Sequence, residues 1–338
     1  MRPRIFVTQP IAESALARLR AVADVDVNPD GTRILPKDML CAAVREHDIL
    51  FALLHDTVDR EVLTANPNLK AVTSMSGNAD RIDVAVATAL KIPVTVIPVI
   101  AVSEATADLH FGLMLAVARR IVEGDRLVRA GCFPGSQSNY LAGAWVWGKV
   151  LGLVGGKGNI GRAVARRARG FGMRILYSGP HRMPEADERN LGMTFVPLDQ
   201  LLAESDFVSL HPALKPDTRH LIGMRELQLM KRSAFLINSS RGPIVDEKAL
   251  ARVLAEKKIA GAGLDVFENE PQVERELLQM TNVVLTPHLG SGVMEVRETV
   301  AHIVVDNVMA ILDGRLPPNC VNPEVYAAKV KTDKTHSH

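Results

Sequence analysis

The feature that most constrains this fold is a strand, a glycine-rich loop and a helix that follow one another between residues 149 and 168. The apolar stretch Val150–Val154 precedes the loop, and an amphipathic helical pattern follows it. Three glycines have the G-x-G-x-x-G spacing of dinucleotide-binding loops: Gly156, Gly158 and Gly161. In such loops the first glycine allows a tight turn, the second admits a pyrophosphate close to the backbone, and the third lets the helix pack on the strand.

The helix after this loop is expected to complete a phosphate site, and Asn159 and Ile160 of the loop are among the predicted cofactor contacts. Its first N–H groups have no partner within the helix, and the helix dipole places a partial positive charge there. A glycine-rich turn without a ligand is the alternative interpretation. The flanking strand and helix favour the dinucleotide site, so we predict cofactor contacts along residues 156–161.

The end of the next strand bears on which dinucleotide is bound. After the apolar stretch 173–177 the chain reads Ser178-Gly179-Pro180-His181-Arg182, without Asp or Glu. An acidic residue at this place binds the ribose 2′-hydroxyl of NAD and would repel the 2′-phosphate of NADP. Ser178, His181 and Arg182 are therefore predicted cofactor contacts, with Arg182 offering bidentate charged hydrogen bonds. The segment favours NADP and leaves NAD possible, since a surface arginine beside an NAD-tolerant pocket has the same sequence.

Length and composition indicate a soluble protein of two domains. The 338 residues include 47% hydrophobic and 23% charged side chains, as in ordinary globular proteins. A net charge of +2 and only 4% aromatic residues argue against a nucleic-acid or membrane partner. Three scattered cysteines, Cys41, Cys132 and Cys320, predict reduced thiols in a cytoplasmic protein, with no disulfide framework and no metal site.

The first residues of the chain predict a strand, and the last ones form a polar tail. Residues 5–8 predict a short strand rather than a signal peptide, and no apolar run is expected to span a bilayer. The polar tail 329–338 is expected to be disordered.

Strands and helices alternate along nearly the whole chain, which predicts an α/β protein with parallel sheets. The first series has candidate strands at 5–8, 25–27, 49–51, 71–74 and 94–96. The second has them at 150–154, 173–177, 194–196, 207–210, 234–238, 261–265 and 283–286. One long helix is predicted from an N-cap at Ser103 to about Arg129, and a last helix from 294 to 312. Two Rossmann-like doubly wound domains are expected, with a cleft between them.

Polar side chains follow three apolar strands of the second series. Arg241 comes after residues 234–238, Glu270 after 261–265 and His288 after 283–286. Because ligands of open α/β sheets bind beyond the carboxyl ends of the strands, the three are expected to meet. Reduction of a 2-keto acid needs a proton at the carbonyl oxygen, which a histidine can donate. A carboxylate such as Glu270 can orient the ring, and an arginine can bind the substrate carboxylate.

Each of the three also has a structural interpretation when taken alone. Arg241 could pair with Asp246, Glu270 could cap a turn before Pro271, and a histidine after a proline is more often structural than catalytic. Their joint position beside a dinucleotide site favours catalysis.

On these motifs the chain resembles the D-isomer-specific 2-hydroxyacid dehydrogenase family over nearly its whole length. The matching segments are 156–161, 205–211 with 216–219, 238–242, 264–271 and 286–291. At the strand end 177–182 it is most similar to NADP-dependent glyoxylate/hydroxypyruvate reductases. The resemblance implies a catalytic triad at Arg241, Glu270 and His288.

Further site residues are implied by the same resemblance. It implies cofactor contacts by five more residues: Thr106, His211, Thr218, Ser240 and Asp265. It implies a discontinuous substrate-binding domain, 1–101 with 290–338, and a dinucleotide-binding domain, 102–289. It also implies a homodimer built on the long helix and the segment 131–147.

The chain departs from the family pattern in two loops. The substrate loop normally reads Val-Gly-x-Asp, whereas here it reads Gly77-Asn78-Ala79-Asp80. Gly77 and Asn78 are still predicted to bind substrate, since asparagine tolerates a left-handed backbone and adds a donor and an acceptor. The alternative is that Asn78 only maintains the turn. Ala79 would leave room for a substrate larger than glyoxylate. The second departure is Pro212, one position earlier than usual, in a loop expected near the nicotinamide side of the cofactor.

The leading hypothesis is reduction of a small 2-keto acid to the D-2-hydroxy acid by NADPH, with glyoxylate, hydroxypyruvate or 2-ketogluconate as substrate. A nucleotide-sensing corepressor of the same family is the alternative in another functional class. A phosphite dehydrogenase is a further alternative, although that enzyme typically has a lysine where Gly77 stands. Formate dehydrogenases typically pair their histidine with glutamine, and Glu270 argues against them.

Overall fold

The computed structural model describes residues 2–326, which divide into two compact units. Residues up to Val102 together with those from Val293 onwards form the first unit, and Ser103–Gly292 form the second. The tail 329–338, expected to be disordered, lies outside the described residues.

Twelve strands form the two sheets, and all of their pairings are parallel. The strands are β1 (Arg4–Val7), β2 (Asp24–Val27), β3 (Ile49–Ala52), β4 (Ala71–Ser74), β5 (Val94–Thr95), β6 (Val150–Val154), β7 (Arg174–Ser178), β8 (Met193–Phe195), β9 (Phe207–Leu210), β10 (Phe235–Asn238), β11 (Gly261–Leu264) and β12 (Val283–Leu285). Every predicted strand is present, with ends that differ by at most one residue.

Helices connect the strands. They are α1 (Glu13–Val22), α2 (Lys37–Arg45), α3 (Arg60–Thr64), α4 (Val84–Ala89), α5 (Ile100–Ala118), α6 (Ile121–Arg129), α7 (Asn159–Gly170), α8 (Glu185–Leu191), α9 (Leu198–Glu204), α10 (Met224–Leu229), α11 (Glu247–Ala255), α12 (Arg275–Leu278) and α13 (Met294–Leu312). A short 3-10 turn, Gly242–Ile244, follows β10.

The first unit is built on a five-stranded sheet in the order β2-β1-β3-β4-β5. All residues of β3 and β4 are buried, because helices cover both faces of a parallel sheet. One of its two cores combines Ile5 and Phe51 with Val300, Val304 and Val308 of α13. The end of the chain therefore completes the core that its beginning starts.

The second unit is built on a seven-stranded sheet in the order β12-β11-β10-β9-β6-β7-β8. Both β7 and β9 flank β6, so the strand order reverses at β6, and Val154 pairs with Ser178 on one side and Leu210 on the other. Ligands of doubly wound sheets bind beyond the carboxyl ends of the strands at such a switch point. The loop after β6 is the glycine loop 155–158, so the fold puts the predicted dinucleotide motif at that point. The doubly wound α/β fold is thereby confirmed.

The prediction of one long helix from Ser103 to Arg129 is wrong. Helix α5 begins at Ile100, and Ser103 is a buried residue inside it rather than its N-cap. The helix stops at Ala118, whose carbonyl accepts a hydrogen bond from the N–H of Ala144 at 2.7 Å. Arg120 then adopts a left-handed backbone (φ 54°) before α6 begins. A contact from a distant loop, absent from any local pattern, divides the helix.

Among the described residues, α5 is the one helix that is long and apolar enough to cross a membrane by length and composition alone. The sequence-based statement that no apolar run has this length is therefore wrong. Half of its apolar window is buried inside the protein, where Phe111, Met114 and Val117 pack into a core of the second unit. Core helices of soluble proteins pass the same length and composition criteria.

Candidate active site

The glycine loop after β6 has the geometry of a phosphate cradle, but the glycine that makes its turn is Gly155, not Gly156. Gly155 has a φ of +77°, and a Cβ there would lie 2.8 Å from the nitrogen of Pro212. A Cβ at Gly156 would lie 2.8 Å from Cβ of Leu153, so Gly156 is required by packing. The sequence indicates these two tasks by two adjacent glycines, Gly155 for the turn and Gly156 for the packing.

The beginning of α7 fits a bound pyrophosphate. Its N-cap is Gly158, which has no side chain that could accept hydrogen bonds from the first N–H groups of the helix. A Cβ at Gly158 would meet only the carbonyl of Gly155 at 3.6 Å, so the space in front of the helix is not filled by protein there. A Cβ at Gly161 would lie 2.7 Å from Cα of Gly156, which explains the third glycine by close packing. These N–H groups, beginning at Asn159 and Ile160, can bind an anion.

The segment after β7 contains an acid that the local sequence did not reveal. Arg182 donates to Glu188 of α8 from Nε (2.8 Å) and Nη2 (2.7 Å), and Tyr177 Oη donates to the same carboxylate at 2.6 Å. Arg182 and Tyr177 together lower the pKa of Glu188 to about 2. Ser178 is buried at the strand end and His181 is exposed. The predicted phosphate ligand is thus already paired with a carboxylate six residues away.

Arg241 follows β10 in a turn that Asn238 organises. Asn238 Oδ1 accepts from the backbone N–H and the hydroxyl of Ser240, at 3.0 and 2.8 Å, and its Nδ2 donates to the carbonyl of Arg241. Arg241 Nη1 donates to the carbonyl of Ser240 at 2.7 Å. Asp246, the alternative partner weighed for Arg241, caps α11 by accepting from the N–H of Ala249.

The loops after β10 and β11 are packed backbone against backbone. A Cβ at Gly242 would lie 1.8 Å from the carbonyl oxygen of Phe267, so no other residue fits there. This contact places the segment that carries Arg241 beside the segment that leads to Glu270. The sequence analysis included Asn238 and Gly242 in the matching segment 238–242 but assigned neither of them a role.

The loop that carries His288 is held by Asp265. One carboxylate oxygen, Oδ1, accepts from Thr286 Oγ1 (2.6 Å) and the N–H of Leu289 (2.7 Å), and Oδ2 accepts from the N–H of Gly290 (2.9 Å). Burial nevertheless raises the pKa of Asp265. The resemblance implies a nicotinamide contact for this residue, and the structure gives its carboxylate a second task, the shaping of the loop.

His288 adopts a left-handed backbone with a φ of 55°, which is uncommon for a residue with a side chain. Such conformations persist where surrounding contacts enforce them, and they cluster at functional sites. Here the N–H of His288 donates to the carbonyl of Asp265 at 2.9 Å.

The imidazole of His288 meets Glu270. Nδ1 of His288 lies 3.1 Å from Oε2 of Glu270, and Oε1 of Glu270 accepts from the N–H of Phe267 at 3.1 Å. Both side chains are largely buried. A carboxylate on Nδ1 fixes the ring orientation and makes Nε2 the atom through which the ring can exchange a proton with a substrate. The structure thus brings Glu270 and His288 into contact, as expected, with Arg241 on the neighbouring loop.

His110, which is fully buried, and His211, which is partly buried, form a pair that was not foreseen. His110 Nε2 lies 2.7 Å from Ser209 Oγ, which lies 2.6 Å from Nε2 of His211. His110 Nδ1 lies 2.8 Å from the hydroxyl of Ser239, next to Ser240. Burial lowers the pKa of His211 to about 3 and that of His110 well below its usual value. Both rings are therefore neutral and connect β9, β10 and α5.

The remaining predicted contacts lie in different surroundings. Thr106 is buried in α5, with its hydroxyl 3.4 Å from where a Cβ of Gly290 would lie. Thr218 is partly buried, and its hydroxyl donates to the carbonyl of Ala213 and accepts from the N–H of Lys215, both at 2.7 Å. It closes the loop after Pro212. The cofactor contacts of both threonines stay predictions.

The loop 74–80 of the first unit does not need a left-handed residue. Neither Gly77 nor Asn78 has a positive φ. Asn78 Oδ1 instead accepts from the N–H of Asp80 at 3.2 Å, and Ala79 packs against a core of its own unit. The left-handed conformation considered for Asn78 is thus wrong, and the turn-maintaining interpretation gains support. Because Ala79 packs on that core, its small size is no argument for a larger substrate.

Comparisons with known proteins found a matching family and full-length relatives. The family described as D-isomer specific 2-hydroxyacid dehydrogenase, NAD binding domain, matches residues 111–290. The chain is 45% identical over 332 residues to the glyoxylate reductase of Thermococcus litoralis, with 97% of this chain and 99% of that protein covered.

Two solved structures have the same fold. The TT0316 protein from Thermus thermophilus is 40% identical, with a TM-score of 0.87 over 94% of this chain and 99% of that chain. An NADPH-dependent glyoxylate/hydroxypyruvate reductase from Sinorhizobium meliloti, solved with NADP and malonate, is 30% identical, with a TM-score of 0.81 over 96% and 98% of the two chains. The chain therefore belongs to the D-isomer-specific 2-hydroxyacid dehydrogenase family, and it is an NAD(P)-dependent oxidoreductase of 2-keto and 2-hydroxy acids.

Proposed function

We propose that this enzyme reduces a small 2-keto acid, with glyoxylate or hydroxypyruvate as first candidates, to the D-2-hydroxy acid, and that it prefers NADPH to NADH. The observation that carries the proposal is the contact between His288 Nδ1 and Glu270 Oε2, in the unit that has the glycine loop. Glyoxylate reductases among the relatives support the substrate class. 2-Ketogluconate stays a candidate substrate, but the small size of Ala79 is no longer an argument for it.

The cofactor would lie on residues 155–161, with its pyrophosphate at the N-terminus of α7 and its adenosine ribose near Ser178 and Arg182. Bound there, it supplies the hydride that the carbonyl carbon of the substrate receives. Ser240, Asp265, Thr106, His211 and Thr218 remain proposed contacts of the same group.

His288 is the proposed proton donor. Its Nε2–H gives a proton to the substrate oxygen as the C–O double bond becomes a C–O single bond, so the product is an alcohol and the ring becomes neutral. Glu270 holds the ring through Nδ1, and Arg241 binds the substrate carboxylate and polarises the carbonyl. The loop that includes Gly77 and Asn78 is proposed to bind the same carboxylate.

Two further proposals concern the state of the enzyme in the cell. The three cysteines are free thiols, which supports a cytoplasmic location. A homodimer is supported by large apolar side chains exposed on α6 and the following loop: Ile121, Val128, Phe133, Trp145 and Trp147. Light scattering of the purified protein tests the dimer, and a monomer at micromolar concentration would contradict it.

The proposed activity is tested by loss of reduced-nicotinamide absorbance with the purified protein. NADPH and NADH are crossed with glyoxylate, hydroxypyruvate, pyruvate and 2-ketogluconate, and the pairs are ranked by kcat/KM. Turnover that is fastest with NADPH and a small 2-keto acid is the expected result. Tight NADPH binding with no turnover of any pair would contradict the proposal and favour a nucleotide-sensing protein.

A further inference from the structure

Glu188 occupies a position in the cofactor-binding unit that no motif identifies. It lies on α8, is 7% exposed, and its carboxylate receives three hydrogen bonds, two from Arg182 and one from Tyr177. Tyr177 is the fully buried residue before the end of β7, and its hydroxyl also accepts from the N–H of Met183 at 2.8 Å. The network therefore connects the strand end, the segment 179–184 and α8.

Among the described residues, the hydrogen bonds of Arg182 come from one edge of its guanidinium. The pair uses Nε and one N–H of Nη2, which is the side edge of the guanidinium. Of the five donors of an arginine, Glu188 leaves both N–H groups of Nη1 and the second N–H of Nη2 unused. One N–H of Nη1 and the second N–H of Nη2 form the end fork that matches a phosphate. The side chain of Arg182 is 58% exposed whereas that of Glu188 is 9% exposed, so the carboxylate lies on the inner side of the pair.

We propose that Glu188 is a positioning residue for cofactor choice, which holds Arg182 so that its end fork meets the 2′-phosphate of NADP. The inference rests on the proposed preference for NADPH. In NAD sites an acid contacts the ribose directly and disfavours NADP. Glu188, a buried acid, would have the opposite effect and favour NADP. An arginine held in one rotamer loses less side-chain entropy when a phosphate binds.

The competing effect of Glu188 is repulsion of the phosphate. Both groups are anionic, because the pKa of Glu188 lies at about 2. Charge interactions fall with distance, and the carboxylate lies behind the guanidinium, which is nearer to any ligand of the end fork. Positioning and repulsion predict opposite signs when the charge of Glu188 is removed, so one experiment separates them.

The variant Glu188→Gln keeps the shape and the hydrogen bond from Tyr177 but loses the charge and one acceptor for Arg182. We expect it to weaken binding of adenosine 2′,5′-bisphosphate about fivefold to tenfold, while 5′-AMP binds within about twofold of wild type. Titration calorimetry with these two nucleotides measures the effect without turnover. Steady-state kinetics should then show a raised KM for NADPH with an unchanged KM for NADH.

Glu185→Gln is the matched control. Glu185 lies on the same helix and its removal changes the same charge, but its hydrogen bond goes to Arg189 rather than Arg182. It should change bisphosphate binding by less than about twofold. An equal effect of both substitutions would show that the loss of a negative charge, and not the positioning of Arg182, changes binding. Tighter bisphosphate binding by Glu188→Gln would show that Glu188 repels the phosphate. Either result overturns the inference.

A double-mutant cycle with Arg182→Ala separates the inference from the proposed NADPH preference. If Glu188 acts through Arg182, Glu188→Gln has no further effect on bisphosphate binding in the Arg182→Ala protein. If Arg182→Ala weakens both nucleotides equally, the NADPH proposal itself fails. If it weakens only the bisphosphate while Glu188→Gln changes nothing, the preference stands and the positioning role is wrong. Thermal melts of each variant show whether it is folded.

Discussion

The carbonyl oxygen of Asp265 accepts a hydrogen bond from the N–H of His288 at 2.9 Å, while the carboxylate of the same residue binds the N–H groups of Leu289 and Gly290. One residue at the end of β11 thus fixes the backbone direction on both sides of the proposed acid. The left-handed φ of His288 follows from these bonds. The proposed catalytic geometry is therefore a property of the loop, and it can be disturbed without touching the imidazole.

The variant His288→Asn tests the proton donor. Asparagine tolerates a left-handed backbone better than alanine, so this substitution removes the imidazole with little backbone strain. We expect kcat to fall by about 10²–10⁴-fold, since general acid catalysis contributes that much, while the dissociation constant of NADPH stays the same. Turnover and fluorescence titration measure the two quantities.

A surface histidine provides the control for that variant. His302 of α13 bonds to Ser14 and Arg18 on the surface of the first unit, and His302→Asn should keep full activity. Wild-type turnover of His288→Asn would show that another group donates the proton.

Asp265→Asn is expected to destabilise the protein. A carboxamide has one acceptor oxygen, so its NH₂ group would face either the N–H of Gly290 or the donors at Oδ1. The free energy of unfolding should fall by about 1–3 kcal/mol, the cost of unsatisfied buried polar groups. Urea unfolding measures it. Asp246→Asn is the control, since asparagine caps a helix as well as aspartate does, and equal stability of both variants would contradict this account of the loop.

Gly155→Ala should remove dinucleotide binding. Its φ of +77° strains any other residue, and the new Cβ would lie 2.8 Å from the backbone nitrogen of Pro212. We expect a loss of about 2 kcal/mol or more in unfolding free energy, together with loss of NADPH binding. Gly170→Ala, at the end of α7, adds a Cβ that meets nothing within 4 Å and should be neutral or stabilising. NADPH binding by Gly155→Ala at wild-type affinity would show that the loop tolerates the strain.

The pair of His110 and His211 predicts a loss of stability between about pH 6.5 and pH 3. Burial lowers the pKa of His110 and brings that of His211 to about 3, so the unfolded chain binds protons that the folded protein does not. The stability that neutral rings contribute is fully present above the unfolded pKa and is lost as the pH falls towards the folded pKa. Each ring can contribute a slope of up to about 1.4 kcal/mol per pH unit.

Urea unfolding between pH 7 and pH 5 measures this slope, because few carboxylates titrate in that range. The variant His110→Asn, which keeps hydrogen-bonding groups in the cavity, should lose about half of it. An unchanged slope would mean that His110 is not neutral in the folded protein.

The sequence predicted most of the strands because they are apolar runs between glycine or polar segments, and parallel strands buried on both faces have this composition. It predicted the contact of Glu270 with His288 because strand ends converge at one edge of the sheet. It could not predict the break after Ala118, which depends on the N–H of Ala144, or the pairing of Arg182 with Glu188, which depends on how α8 packs. Local patterns do not encode contacts between a helix and a distant loop.

The discontinuity of the first unit has a consequence for the order in which the protein is made. Its core needs Val300, Val304 and Val308 of α13, and the N–H of Val94 bonds to Asn322 at 2.8 Å. The second unit is contiguous and has all of its residues once Gly292 has been synthesised. On the ribosome the unit with the glycine loop therefore has a complete chain first, while one core of the N-terminal sheet, already packed on α1, stays incomplete until α13 has emerged. The N-terminal segment of the first unit is thus synthesised first, but the core of that unit can be completed only after the second unit has been synthesised.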